Sequence, residues 1–124
     1  MPVPILKQGD VLIASIQAAL TDQELLHLRD NLSDQVGRLR ARGVVIDLTA
    51  LDVLDSFATR TIRGIAHTAR LRGAPTVVVG IQPEVAFAMV QLGLTLEGIL
   101  TALDLDEGLA LLRSRAHWAT GHGD

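Results

Sequence analysis

A chain of 124 residues with 48% hydrophobic and 20% charged side chains has the composition of one folded domain, not of a disordered segment. Its formal charge of −3 offers no electrostatic footprint for nucleic acid or an anionic membrane. Cysteine is absent, which excludes disulfides, thiolate catalysis and Cys-ligated metals, and aromatics are only 2%, so Leu, Val, Ile and Ala must build the core.

The opening "MPVPILKQGD" has no basic leader followed by an apolar run, and no apolar stretch approaches the ~20 residues of a membrane-spanning helix. The expectation is a cytoplasmic protein. "PILK" (Pro4–Lys7) and "VLIASIQ" (Val11–Gln17) read as two short strands around the turn-prone Gly9-Asp10, close enough to pair as a hairpin. Thr21 and Glu24 have the spacing of a capping box, and Leu25, Leu28, Leu32, Val36 and Leu39 form one apolar stripe on the helix that follows. "GVVIDLT" (Gly43–Thr49) is a β-branched run suited to a strand covered on both faces.

A second helix is expected from about Ser56 to Arg72, ended by Gly73 and Pro75, and then a buried strand at Thr76–Ile81. Pro83 opens a third helix to Leu92. Ile99–Leu103 reads as an edge strand, and Asp104 with Glu107 caps a last helix reaching about Ala116, before a frayed tail at 117–124. Strands alternating with helices imply βαβ crossovers, hence an α/β domain over 1–124 with a mainly parallel sheet and a core at about 4–116.

The chemistry concentrates in "LDVLDSFATRTIR" (Leu51–Arg63). Asp55 or Ser56 can serve as helix cap. A nucleophilic serine would want the glycines of a G-x-S-x-G elbow, which "LDSFA" lacks, and His67 lies three turns down the same helix. On a helical wheel Ser56, Arg60, Arg63, His67 and Arg70 share an arc of about 80°, opposite Ala58, Ile62, Ile65 and Ala69. Ser56 thus heads a basic ridge, read either as a solvated face or as a contact surface.

A phosphate there would add about −1.5 to −2 charge. A helix N-terminus favours that charge by roughly 0.3–1 kcal/mol, and Arg60 one turn on can pair with it. Asp52 and Asp55 oppose it, like charges ~4 Å apart costing about 1 kcal/mol in water. These terms nearly cancel, so the fold tolerates the phosphate while a partner resting there meets a new dianion. Phe57 is the aromatic beside the site, as a contact or as a packed side chain. His27, His67, His117 and His122 have no metal-ligand spacing. "GIQPEVAFAM" (Gly80–Met89) puts a small-residue turn before a helix but lacks the glycines and lysine of a nucleotide loop. No metal or cofactor is expected.

Three segments, "GVVIDLT…LDVLDSFATR", "GAPTVVVGIQPEVAFAMVQLGL" and "ALDLDEGLALL", resemble the STAS-domain family in its stressosome antagonist branch, over about Pro4 to Leu112. The resemblance implies the STAS fold, a mixed, mostly parallel central β-sheet with helices packed mainly on one face. It implies a non-enzymatic scaffold: an antagonist that forms homo-oligomers (dimers) and joins an RsbR-type co-antagonist in a large complex. That complex holds an RsbT-type serine kinase, releases it on phosphorylation, and is reset by an RsbX-type phosphatase. Carried onto this chain, the phosphoacceptor is Ser56, with Asp52, Asp55, Phe57, Thr59, Arg60 and Arg63 around it. Simple anti-anti-sigma factors, the alternative, usually show a small residue and a glycine soon after the modified serine. Here Phe57-Ala58 follow, which matches the stressosome branch better.

Overall fold

The computed structural model describes residues 3–121, and the side chains of 3–115. Five strands form one sheet in the order β1 (Ile5–Gln8), β2 (Val11–Ser15), β3 (Gly43–Asp47), β4 (Thr76–Val79) and β5 (Leu100–Ala102). β1 and β2 make the expected antiparallel hairpin, turning at Gly9 with φ +62°, and the remaining pairs are parallel. The four helices are α1 (Asp22–Arg38), α2 (Ser56–Leu71), α3 (Pro83–Gln91) and α4 (Leu105–Gly121). Among the described residues no helix is long and apolar enough to cross a membrane.

The strand order follows the chain order, and that decides where the helices go. Each β–α–β crossover from β2 to β5 steps the same way across the sheet. Crossovers in such a unit are right-handed, so α1, α2 and α3 must all lie on one face. Their apolar stripes meet Leu12, Ala14, Ile16, Val44, Ile46 and Val78 there. α4 follows β5 with no further strand to reach and packs on the other face, over Val11, Ile13, Val45, Val77 and Val79. β3 and β4 are therefore covered on both sides, and Val44, Val45, Ile46, Val77, Val78 and Val79 are fully buried. That matches the alternation-free apolar runs in their sequences. α4 approaches closely because it carries glycine at the contact: a methyl group on Gly108 would stand 2.6 Å from Val79 Cγ1.

Local signals set the helix starts. The Thr21–Glu24 capping box is fully formed, Thr21 N–H donating to Glu24 Oε1 at 2.9 Å and Glu24 N–H to Thr21 Oγ1 at 3.1 Å. The Thr21 N–H holds the exposed Glu24 carboxyl well below the usual carboxylate range. Asp104 caps α4 by accepting from Glu107 N–H at 2.9 Å. Several expected boundaries are corrected. β2, β3 and β4 end at Ser15, Asp47 and Val79 rather than at Gln17, Thr49 and Ile81, where the chain turns toward the next helix. α4 continues to Gly121 rather than ending near Ala116, since 116–120 contain no glycine or proline to stop it. Of the expected frayed tail, residues 122–124 lie outside the described residues.

Candidate functional site

Loops from the carboxyl ends of the parallel strands gather at one end of the sheet, the position where α/β sheets place their functional groups. The ladder extends past the strands there. Ile16 N–H donates to Asp47 O at 3.0 Å, Leu48 N–H to Val79 O at 2.9 Å, and Gly80 N–H to Ala102 O at 3.1 Å. The β3–α2 loop (48–55) is then tied down at its start. Asp47 Oδ1 accepts from Thr49 N–H at 2.9 Å and Thr49 Oγ1 at 2.6 Å. Gln82 Nε2, from the β4–α3 turn, donates to Thr49 O at 2.8 Å. Gly80 allows this approach with φ +75°, because any Cβ there would collide with the Thr49 hydroxyl.

That braced loop delivers "LDS" to the start of α2. The N-cap is Asp55, with extended backbone (φ −83°, ψ 177°), its Oδ1 accepting from Ala58 N–H at 2.8 Å. Ser56 is not the cap, which corrects one of the two roles sequence allows it. It is the first helical residue, half-buried, and its hydroxyl makes no hydrogen bond among the described residues. The backbone N–H groups of Ser56 and Phe57 head the helix without intrahelical acceptors. A hydroxyl free of partners beside unsatisfied N–H donors and the positive end of a 16-residue helix is an anion-tolerant position.

The assignment is testable by stability alone. Asp55→Ala is expected to lower the unfolding free energy in urea by about 1 kcal/mol. Ser56→Ala, away from any cap bond, is expected to stay within about 0.5 kcal/mol of wild type. The reverse order would move the cap to Ser56.

The neighbours separate into distinct roles. Asp52 is exposed on the loop, and Arg60 is exposed one turn beyond Ser56 with no ion pair among the described residues. Phe57 is half-buried and packs against the main core. Thr59 is fully buried, and its hydroxyl donates to Asp55 O at 2.9 Å. It therefore supports the helix start instead of facing a partner. Phosphopeptide mapping after kinase treatment is expected to find Thr59 unmodified, because reaching its oxygen requires opening the first turn of α2.

The basic ridge is also less uniform than a wheel suggests. Arg63 is half-buried and donates to Thr95 O at 3.0 Å, fastening α2 to the α3–β5 connection. His67 and Arg70 are exposed and flank the same connection, where a methyl group on Gly98 would stand 3.8 Å from His67 Nε2 and 3.7 Å from Arg70 Nη1. On the opposite flank Arg72 donates to Ser33 O of α1 at 2.9 Å. His67 lies eleven residues from Ser56, about 16 Å along the helix axis, far beyond proton-transfer reach.

A shallow apolar cleft beside Ser56 was not visible in the sequence. Ile16, Leu20, Leu51, Val53 and Leu54 line it, with Asp55 at its rim. Val53 is 58% exposed, a large apolar side chain facing solvent next to the serine. The clue was available in retrospect. Five apolar residues in the loops after β2 and β3 exceed what a solvent-facing turn needs, but their convergence depends on the parallel pairing.

The whole arrangement is that of a STAS domain, and residues 3–108 match the STAS-domain family model. The chain belongs to that family. Within it the chain is similar to RsbS of Moorella thermoacetica, solved as a serine-to-glutamate variant, with 38% identity, a TM-score of 0.81 and coverage of 93% of this chain and 97% of that one. A chain in a solved stressosome structure, described as a signal integration and transduction hub, matches with 36% identity and TM-score 0.75 over 91% of this chain and 98% of that one. Among curated proteins, the RsbT co-antagonist protein RsbRA of Bacillus subtilis is 27% identical over 100 residues, 81% of this chain and 36% of that protein. The chain spans about a third of the length of the curated relatives it matches.

Proposed function

We propose that this chain is a stressosome antagonist that sequesters an RsbT-type serine kinase and releases it when Ser56 is phosphorylated. The observation that carries the reading is the position of Ser56 within an RsbS-like fold. It stands at the first turn of α2, its hydroxyl unengaged, while Asp55 alone serves as cap. The helix therefore does not need the Ser56 oxygen, and a phosphate on it leaves the cap in place. Two unsatisfied N–H groups and Arg60 offset part of the repulsion from Asp52 and Asp55. The loop below is braced by Asp47, Thr49 and Gln82, so the added charge is presented to a partner instead of being absorbed by loop movement.

The scaffold partners in this reading are RsbR-type STAS proteins, and an RsbX-type phosphatase resets Ser56. The protein itself is non-catalytic: Ser56 is a substrate, not a nucleophile. The deciding experiment is intact mass with phosphopeptide mapping after incubation with ATP and the RsbT-type kinase of the same genome. One added phosphate at Ser56, absent in Ser56→Ala, is expected. No phosphate, with the protein folded and the kinase active on another substrate, would return Ser56 to an ordinary first-turn residue.

A further inference from the structure

The solvent side of α2 carries residues that the helix itself does not need. Ser56, Arg60, Gly64, His67 and Leu71 recur every three or four positions and share an arc of about 80°. The stripe runs opposite Ile62, Ile65 and Ala69, which are buried. Gly64 is exposed in mid-helix, where glycine weakens a helix relative to alanine. Its φ is not positive, and a Cβ there would meet nothing within 4 Å, so neither a turn nor packing requires it. Leu71 is 89% exposed and buries nothing.

The charges on this side are also left uncompensated. α2 contains Arg60, Arg63, His67 and Arg70 but no Asp or Glu. α1 does the reverse, setting Arg29 against Asp30 at 3.0 Å and Arg38 against Asp34 at 3.4 Å. Arg60 and Arg70 are exposed and make no hydrogen bond or ion pair among the described residues. Arg63 donates to the neutral Thr95 carbonyl, which leaves its charge intact. Glu97, next to Gly98 on the neighbouring connection, forms no ion pair with them. A chain of net charge −3 thus holds three arginines unpaired along one helix.

The geometry points to an acidic surface of the serine kinase as the occupant, laid along α2 from Ser56 to Leu71. The inference rests on the reading that this kinase binds at Ser56, and it names the face and the chemistry by which it docks. Charge complementarity selects the partner: a line of unpaired cations attracts carboxylates, steers their approach and repels other basic surfaces. From Ser56 to Leu71 the stripe is about 22 Å long, which fits within the ~800 Å² that each partner gives to a standard interface.

Each member of the stripe then has a task. Arg60 and Arg70 supply attraction at its two ends. Gly64 bares the backbone at the midpoint, so the kinase can come closer there than any side chain would allow. Leu71 gives an apolar contact at the far end. Ser56 stands at the head of the same surface, and its phosphate brings about −1.5 to −2 charge. That charge offsets much of the ridge and faces the carboxylates of the kinase. Release therefore follows from the complementarity that makes capture.

Stopped-flow association with the RsbT-type kinase of the same genome, at low and high salt, tests it. Arg70→Glu is the decisive variant, because residue 70 lies about 21 Å along the helix from Ser56 and cannot touch its hydroxyl. It is expected to lower the association rate constant about fivefold or more at low salt, with most of the loss gone at high salt. In the phosphorylation assay it should raise KM and leave kcat unchanged. Gly64→Gln fills the bare midpoint with a better helix former, and should weaken binding about tenfold without lowering Tm. Arg113→Glu makes the same charge change at an exposed position of α4, across the sheet, and should stay within about twofold of wild type. If Ser56 is phosphorylated but Arg70→Glu and Gly64→Gln behave like Arg113→Glu, the docking face is wrong and the Ser56 switch stands. A folded wild-type chain that binds no kinase overturns both. Variants that keep the kinase but lose an RsbR-type STAS domain would give the ridge to that partner and overturn the assignment.

Discussion

Ser56→Glu is expected to weaken capture of an RsbT-type kinase by about tenfold or more, while Ser56→Ala keeps the fold and holds the kinase at least as tightly as wild type. The argument is electrostatic and local. Ser56 is the first residue of α2, with Asp52 and Asp55 close in sequence and Val53 presenting an apolar side chain beside it. A partner seated on this corner excludes water from the serine. A carboxylate introduced there must lose solvation in the complex, and a buried unpaired charge costs several kcal/mol. In the free protein the same charge stays hydrated next to helix N–H groups and costs little. The difference falls on the complex alone. Titration calorimetry or surface binding of the kinase measures it directly. Glutamate carries one charge where phosphate carries about −1.5 to −2, so phosphorylated wild type should bind more weakly still. Equal binding by wild type, Ser56→Glu and phosphorylated protein would eliminate the charge switch.

Gly80→Ala is expected to cost about 3 kcal/mol of stability, the largest effect of any single methyl group considered. Two terms add. The φ of +75° lies in the left-handed region, which costs an alanine roughly 1–2 kcal/mol. The new Cβ collides with the Thr49 hydroxyl and stands 3.1 Å from Thr49 Cα, and overpacking of that kind costs about 1–3 kcal/mol. Thr49 cannot simply rotate away, because its hydroxyl donates to Asp47 and its carbonyl accepts from Gln82. The strain is therefore transmitted into the loop that carries Ser56. Urea unfolding gives the magnitude, and a loss below about 1 kcal/mol would mean that the two loops are not locked together as described. Gly9→Ala is the comparison, with φ +62° but open space around the Cβ, and should show the conformational part alone.

Much of the site was legible before any coordinates. The joint at Asp55-Ser56, the end of α2 at Gly73 and the caps at Thr21 and Asp104 are all hydrogen-bond devices completed within three or four residues. What was misread involved partners from elsewhere in the chain. Thr59 stood near the serine in sequence and was grouped with its contact residues, yet it has no exposure and its hydroxyl donates to Asp55 O within the first turn of α2. Arg63 fell on the same wheel arc as Arg60, but Thr95, thirty-two residues away, accepts its hydrogen bond. The choice between Asp55 and Ser56 as cap rests on backbone angles at the helix entry, which two equally good capping residues in a row do not distinguish.

By itself the sequence determined the type and order of the elements, the buried character of β3 and β4, and the family. Periodicity and capping act over one or two turns, and a short apolar run has few other ways to hide. Only the tertiary structure decided that α4 crosses to the opposite face and that Gly80, Thr49 and Gln82 brace the serine loop. Those facts follow from the handedness of successive crossovers and from contacts between segments thirty or more residues apart. No local pattern encodes them, because each depends on which loops the parallel pairing brings side by side.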